Sequence, residues 1–304
     1  MSACFLTLYT WPESFADPHS AKIQRNAVRS WLRLEPRPEI LVFGDEPGVK
    51  EYCQEFGLRR VADRLEVIDG TVRIRDMAES AERQSDASFY CFINADIILT
   101  DSLLRALERI SSLPHFLLGA SPWNVDITED LTFDPGWQET LEKQARVQND
   151  LRSRAASDFF VYRKGYLSAA PSLIMGRPYV DNGLMWYARK RGDALVDGTP
   201  GIFTVHQNHD YRHFGDKANQ KLMTPGALLN LKVLGARNRL YTWANATHHY
   251  TKAGLRPYRY GQICRWSTHP RSAPRAAKLL NFSVHGLASA TASIWRGLGL
   301  VNPR

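Results

Sequence analysis

Two short stretches of this chain carry side chains that could do chemistry together. Asn94-Ala95-Asp96 interrupts an otherwise apolar run from Phe89 to Leu99, and His206-Gln207-Asn208-His209 follows the apolar Ile202 to Val205. A carboxylate placed where a buried strand surfaces stands over the region beyond the carboxyl edge of an α/β sheet, where ligands bind. Hard cations such as Mg²⁺ and Mn²⁺ take oxygen ligands and bridge a carboxylate to substrate phosphates, and Mn²⁺ also accepts imidazole. Asp96 with His206 or His209 could therefore converge on a divalent metal. A second reading stays open beside this one. Asp96 could satisfy backbone groups in the turn before a helix near Thr100, and H-x-x-H could be a polar loop bonded to backbone carbonyls.

The elements that must position these residues follow from apolar patterning. Phe5–Thr10 reads as a first strand and His19–Leu34 as an amphipathic helix, with Ile23, Ala27, Val28, Trp31 and Leu32 on one side. Ile40–Phe43 is a second buried strand that delivers Asp45 and Glu46 at its end, before a helix over Val49–Phe56 stopped by Gly57. Val67–Gly70 is a weak strand or turn, and a polar helix fills Thr71–Gln84. The run from Phe89 to Leu99 is apolar on both sides of a pleat, as a strand in the middle of a parallel sheet would be. A helix follows over Asp101–Ile110, then a strand at Phe116–Ala120. Asp134-Pro135-Gly136 opens a helix expected to reach about Arg154. Asp158–Tyr162 is a short strand, Asp181–Arg191 a helix ended by Gly192, and Leu195-Val196 and Ile202–Val205 are closing strands. Strand–helix alternation of this kind builds βαβ units and a mostly parallel sheet.

Composition limits the alternatives. A chain of 304 residues with 44% hydrophobic and 23% charged residues can bury a sizeable core. Cys4, Cys53, Cys91 and Cys264 are far apart with no C-x-x-C pair, which points to free thiols in a reducing cytoplasm rather than to a disulfide framework or zinc site. The first residues lack the charged and long apolar regions of a signal peptide, and no apolar run reaches the roughly 18 residues of a spanning helix. Charge is uneven. Residues 217–304 hold 14 Lys or Arg and no Asp or Glu, while residues 1–216 carry 25 basic against 31 acidic residues. Two parts are therefore expected, a catalytic domain over 1–216 and a basic, mainly helical extension over 217–304 that includes a helix from Ala277 to Leu300. Such asymmetry implies an anionic partner, namely a membrane surface or a phosphorylated acceptor. Nucleic acid is disfavoured because no recognition motif accompanies the charge.

The order of strand, helix, acid-ended strand, N-A-D after a buried strand and a late histidine resembles the GT-A glycosyltransferases. The stretches SDFFVYRKG, RPYVDNGLMWYARKRG and VHQNHDYRH are similar to those of bacterial GT-A-like proteins associated with surface polysaccharides. The resemblance implies a Rossmann-like mixed sheet, a nucleotide-sugar donor of UDP type, and a divalent metal (Mn²⁺ or Mg²⁺) on the donor diphosphate. Asn94-Ala95-Asp96 matches the family's D-x-D motif in its last position, which holds the metal. Asp96 therefore carries over as a metal and diphosphate contact, with His206 and His209 completing the coordination, and Asn94 as a contact to ribose or a metal-bound water. It further implies that Thr7 and Tyr9 meet base and ribose, and that Asp45 or Glu46 bonds the base or ribose edge, unless those two acids are an ordinary solvated turn.

An inverting transfer also needs a base near the acceptor hydroxyl. Asp181 is the first candidate and Asp158 the second, with helix capping and a polar strand start as their structural alternatives; a retaining transfer would need neither. The expected function is transfer of a sugar from a nucleotide-sugar to a glycan or lipid-linked acceptor in surface polysaccharide synthesis. The enzyme would work in the cytoplasm or at the inner face of the membrane. Two other functions remain open: a nucleotidyltransferase on a related sheet, disfavoured because Thr10-Trp11-Pro12-Glu13 replaces a glycine-rich phosphate loop, and a non-catalytic scaffold that binds anionic surfaces.

Overall fold

A computed structural model describes residues 4–209, 223–238 and 240–258. A nine-stranded sheet runs through the compact unit Met1–Pro257. Its first half is laid down in the order β1 (Cys4–Thr10), α1 (Pro18–Trp31), β2 (Glu39–Val42), α2 (Val49–Phe56), β3 (Arg59–Arg60), α3 (Ile74–Gln84) and β4 (Ala87–Ile93). These four strands are parallel, with β1 between β2 and β4. Both faces of β1 are covered, which is why its apolar residues run on without alternation. Asp17 caps α1 by accepting the Ser20 N–H at 2.7 Å, with Pro18 in the first turn. Leu6, Leu8, Val28 and Trp31 then meet in one core layer with Leu103 and Leu107. Each such side chain contributes about 1.5–3 kcal/mol when fully buried.

The apolar run from Phe89 to Leu99 is not one strand. After β4 the chain turns at Asn94–Asp96, and β5 (Ile97–Ile98) enters a second, three-stranded sheet with β10 (Val205–Gln207) and β7 (Trp123–Val125). The indole of Trp31 fixes this departure by donating to the Ile97 carbonyl at 2.8 Å. Beyond α4 (Ser102–Ile110) the large sheet resumes with β6 (Phe116–Gly119), β8 (Phe159–Tyr162) and β9 (Ala194–Asp197). β8 is antiparallel to both of its neighbours, β4 and β6, so β6 again points the same way as β4. The result is the mixed, mostly parallel α/β sheet expected.

Helix α5 (Trp137–Gln148) packs Leu141 and Ala145 on the small sheet, against Val125 and Val205. It stops six residues before the expected Arg154, because Asn149 takes the left-handed conformation (φ 53°) that closes a helix. Helix α6 (Val180–Arg191) and helix α7 (Pro225–Asn238, interrupted at Gly235) lie next to each other.

Two strands of the stretch expected to form a separate extension continue the large sheet. β11 (His248–Thr251) pairs in parallel with β9, and β12 (Gly254–Pro257) closes the edge. The compact unit therefore runs to Pro257 rather than to residue 216. The boundary was hidden because these strands are short and the polar, basic composition outweighs their weak pattern. The helix expected over Ala277–Leu300 lies outside the described residues. Among the described residues no helix is long and apolar enough to cross a membrane, and Cys4, Cys53 and Cys91 are free thiols, as expected.

Candidate metal and acid site at the sheet edge

The carboxyl ends of β1, β2, β4, β6 and β9 share one edge of the large sheet, and β8, running the other way, begins there. Register brings the first residues together. Ile93 pairs with Phe159, so the next position sets Asn94 opposite Asp158. The Asn94 backbone N–H donates to the Asp158 carbonyl at 2.9 Å, and its side-chain Nδ2 donates to Asp158 Oδ1 at 3.1 Å. In the small sheet Ile97 pairs with His206, and the Gln207 amide reaches across to the Asp96 carbonyl at 2.8 Å. The same amide donates to the Ile23 carbonyl of α1 at 2.7 Å.

Asp96, His206 and His209 converge as expected. Asp96 Oδ2 lies 3.1 Å from His206 Nε2 and 3.3 Å from His209 Nε2. All three ligand atoms lie within 4.8 Å of one another. Burial alone would raise the Asp96 pKa, but hydrogen bonds and charge from the two imidazoles outweigh it and hold the carboxyl below the usual range. One ionised oxygen and two imidazole nitrogens on a concave edge suit a borderline divalent ion and leave coordination positions for a ligand. The donor set therefore fits the expected Mn²⁺ and fits Mg²⁺, which prefers oxygen, less well.

Asp158 is buried and doubly held, by Asn94 on Oδ1 and by Arg152 Nη1 on Oδ2 at 2.7 Å. Burial raises its pKa, opposed by Arg152 and His206. Asp181 sits in the first turn of α6, just after Tyr179, which adopts the left-handed conformation at φ 74°. Its Oδ2 accepts the Ser157 N–H at 3.2 Å. Burial first, and then the charge of Asp158, push its pKa up to about 7. Asp181 thus has the protonation range of a general base at neutral pH, and Asp158 has both oxygens engaged.

The residues expected at the donor fall in two places. Thr7 is fully buried in mid-strand, its Oγ1 2.7 Å from Ser85 Oγ, and Tyr9 is fully buried with its hydroxyl 2.7 Å from that of Tyr162. Both serve the core in place of a contact with base or ribose, because β1 is covered on both faces. Asp45 and Glu46 do reach the edge. Asp45 is exposed and paired with Arg60. Glu46 Oε1 accepts the Trp11 indole N–H at 2.6 Å, while Oε2 is buried and has no hydrogen-bond partner among the described residues. Gly44 makes room for this pair, since it has φ 94° and an added Cβ would stand 2.2 Å from Glu46 Oε2.

Arg152, Gln207 and Trp11 belong to the site and were not picked out from sequence. The helix-ending Asn149 was the available sign that Arg152 lies in a loop at the sheet edge. Beyond His209 a cleft of about 450 Å³ opens where β7 ends, lined by Asp126, Glu129, Asp130, Asp134, Trp137 and Gln144 among others. Asn208 ties this cleft to the histidine segment by donating to Asp126 Oδ1 at 2.7 Å.

No protein-family model and no curated protein sequence matches the chain. Among solved structures it is similar to residues 1–349 of S. aureus TarS, with 14% identity over 68% of this chain and a TM-score of 0.39. It is also similar to glucosyl-3-phosphoglycerate synthase from Mycobacterium tuberculosis, solved with Mn²⁺, uridine diphosphate and phosphoglyceric acid. Identity there is 13%, covering 76% of this chain and 79% of that one, with a TM-score of 0.45. A third is the mannosyltransferase PcManGT from Pyrobaculum calidifontis with GDP-Man and Mn²⁺, at 10% identity, 95% and 81% coverage and a TM-score of 0.44. The chain spans 59% of the length of the TarS structure.

Proposed function

We propose that this chain is a metal-assisted GT-A glycosyltransferase that moves a sugar from a nucleotide-sugar to a hydroxyl of a glycan or lipid-linked acceptor in surface polysaccharide synthesis. The observation that carries the reading is the convergence of Asp96, His206 and His209 on one edge of the sheet, with the Asp158–Asp181 pair at the same edge. Asp96, His206 and His209 would hold a divalent ion, whose positive charge would stabilise the departing diphosphate.

The chain's own groups account for the rest. Glu46, held by Trp11, offers its buried Oε2 as acceptor for an N–H or O–H of the nucleoside. Asp181 receives the proton of the acceptor hydroxyl as that oxygen bonds to the anomeric carbon. The bond from the anomeric carbon to the diphosphate breaks in the same displacement, with inversion. Asp158 orients the edge through Asn94 and Arg152 and keeps the Asp181 carboxylate basic. The cleft beside Asp126 and Trp137 offers carboxylates for sugar hydroxyls and an aromatic ring for an apolar sugar face, as an acceptor glycan would need.

Calorimetric titration of uridine and guanosine diphosphates, with and without Mn²⁺, tests the proposal on the wild type and on Asp96→Ala. The expected result is Mn²⁺-dependent binding that Asp96→Ala abolishes. Absence of nucleotide binding under either condition removes the transferase reading and favours a scaffold. A donor panel assayed for hydrolysis or transfer then identifies the sugar.

A further inference from the structure

Asn26 and Gln207 are fully buried amides that the proposed chemistry does not use. Asn26 stands on α1, and Gln207 ends β10 between His206 and His209. They bond to each other, Asn26 Nδ2 donating to Gln207 Oε1 at 3.1 Å. At one end of the pair, Asn26 Oδ1 accepts the N–H of Leu131, in the wall of the acidic cleft, at 3.0 Å. At the other end, Gln207 Nε2 donates to the carbonyls of Ile23 and Asp96. Among the described residues no other side chain bonds to the main chain of Asp96.

The ends dictate which way both amides face. A main-chain N–H can only donate, and a carbonyl can only accept. Leu131 therefore takes the Asn26 oxygen, which turns the Asn26 nitrogen to Gln207 and leaves the Gln207 nitrogen for the two carbonyls. Every bond runs in one direction, so one reversed amide breaks the chain. A buried polar chain with all its members satisfied holds them to one geometry. Alternation along β10 sends Gln207 inward to α1 and His206 to the other side, where its ring meets the Asp96 carboxylate.

We infer that Asn26 and Gln207 are positioning residues. They fix the Asp96 main chain, and with it the carboxylate, against His206 and His209, and they hold the cleft wall at Leu131 in register with that site. The inference rests on the metal-site reading given above and extends it to two residues outside the ligand set.

Mn²⁺ alone, without nucleotide, is titrated into the full-length protein by calorimetry and by the electron paramagnetic resonance of free Mn²⁺. Asn26→Asp keeps an acceptor for Leu131 but offers an oxygen to Gln207. Gln207 must then turn its nitrogen to the new carboxylate, and its oxygen meets the Asp96 carbonyl. The added negative charge would by itself strengthen cation binding, so a weaker affinity reports lost positioning. Asn26→Asp is expected to weaken Mn²⁺ binding at least about tenfold. Gln207→Leu, which removes the donor without adding a charge, is expected to do the same. Asn230→Asp is the control. Asn230 is equally buried but bonds Ile174 and Pro178 instead. It is expected to lower the thermal unfolding temperature and leave Mn²⁺ affinity unchanged. Wild-type affinity in Asn26→Asp and Gln207→Leu overturns the inference alone. So does an equal loss in Asn230→Asp, which would mark a general effect of stability. Absence of Mn²⁺ binding by the wild type removes the metal reading and the inference together.

Discussion

Asn94 and Asp158 face each other across the β4–β8 ladder, joined by a backbone hydrogen bond of 2.9 Å and a side-chain hydrogen bond of 3.1 Å. The pairing gives a physical reason for an amide at the first position of the N-A-D stretch. A carboxylate there would confront the buried carboxylate of Asp158, whereas the amide donates to it. Asn94→Asp is therefore expected to destabilise the protein by about 1–3 kcal/mol at pH 8. The loss shrinks at pH 5, where the two acids share a proton, and urea unfolding at the two pH values measures the difference. Mn²⁺ affinity is not expected to improve, because the side chain at 94 is directed at Asp158. Wild-type stability of the variant at both pH values would contradict this account.

The raised pKa of Asp181 sets both a rate profile and a stability profile. As a base it acts when ionised, so kcat/KM rises with pH through about 7. Asp158→Asn removes the second cause of the shift and moves that limb to lower pH. Asp181→Asn lowers kcat by about 10²–10⁴-fold. For stability the sign is opposite. Between the ordinary aspartate range and about 7 the native protein holds a proton that the unfolded chain has lost. Stability therefore falls as pH rises through that window, and Asp181→Asn removes the slope. An unshifted limb in Asp158→Asn, or unchanged turnover in Asp181→Asn, would exclude the base role.

The proposed metal site makes a prediction for its three converging side chains. Asp96→Asn and His206→Gln are each expected to weaken Mn²⁺ binding at least about tenfold by calorimetry or by the electron paramagnetic resonance of free Mn²⁺. An equal affinity in either variant would place the ion elsewhere.

Gly44 tests the donor edge. Gly44→Ala forces an L side chain into φ 94° and against Glu46 Oε2, so the expected outcome is a loss of about 1 kcal/mol or more in thermal unfolding. Nucleotide affinity falls with it, and Glu46→Gln lowers affinity with little change in stability. Unchanged affinity in both variants would remove Glu46 from the nucleotide contact.

Asp158, which precedes β8, and Asp181, in the first turn of α6, follow no strand. The convergence of Asp96, His206 and His209 was legible in sequence because each lies at or beyond the end of an apolar run, and strand ends in an α/β sheet point to one edge. Thr7 and Tyr9 were misplaced by the same reasoning. Proximity to the end of β1 says nothing about which side chains the covering layers absorb, and Tyr9 is absorbed by Tyr162, Phe43 and Phe92. That the run changes sheets at its polar interruption was also invisible, since β4 and β5 are equally apolar and differ only in which sheet receives them. Arg152 was concealed by a helical pattern that Asn149 ends early. Strands β11 and β12, four residues each, carry too little pattern to stand out from a basic stretch.

The turn at Asn94–Asp96 is where the polypeptide leaves one sheet for the other, and Asp96 stands at the seam. Its partners His206 and His209 belong to the small sheet and the segment that follows it. An ion held by the three ligand atoms would therefore join two layers. On the proposed site, loading would tighten the small sheet on the large one, so Mn²⁺ with a nucleotide diphosphate should slow amide exchange in β5, β7 and β10 well before it alters β1 or β2.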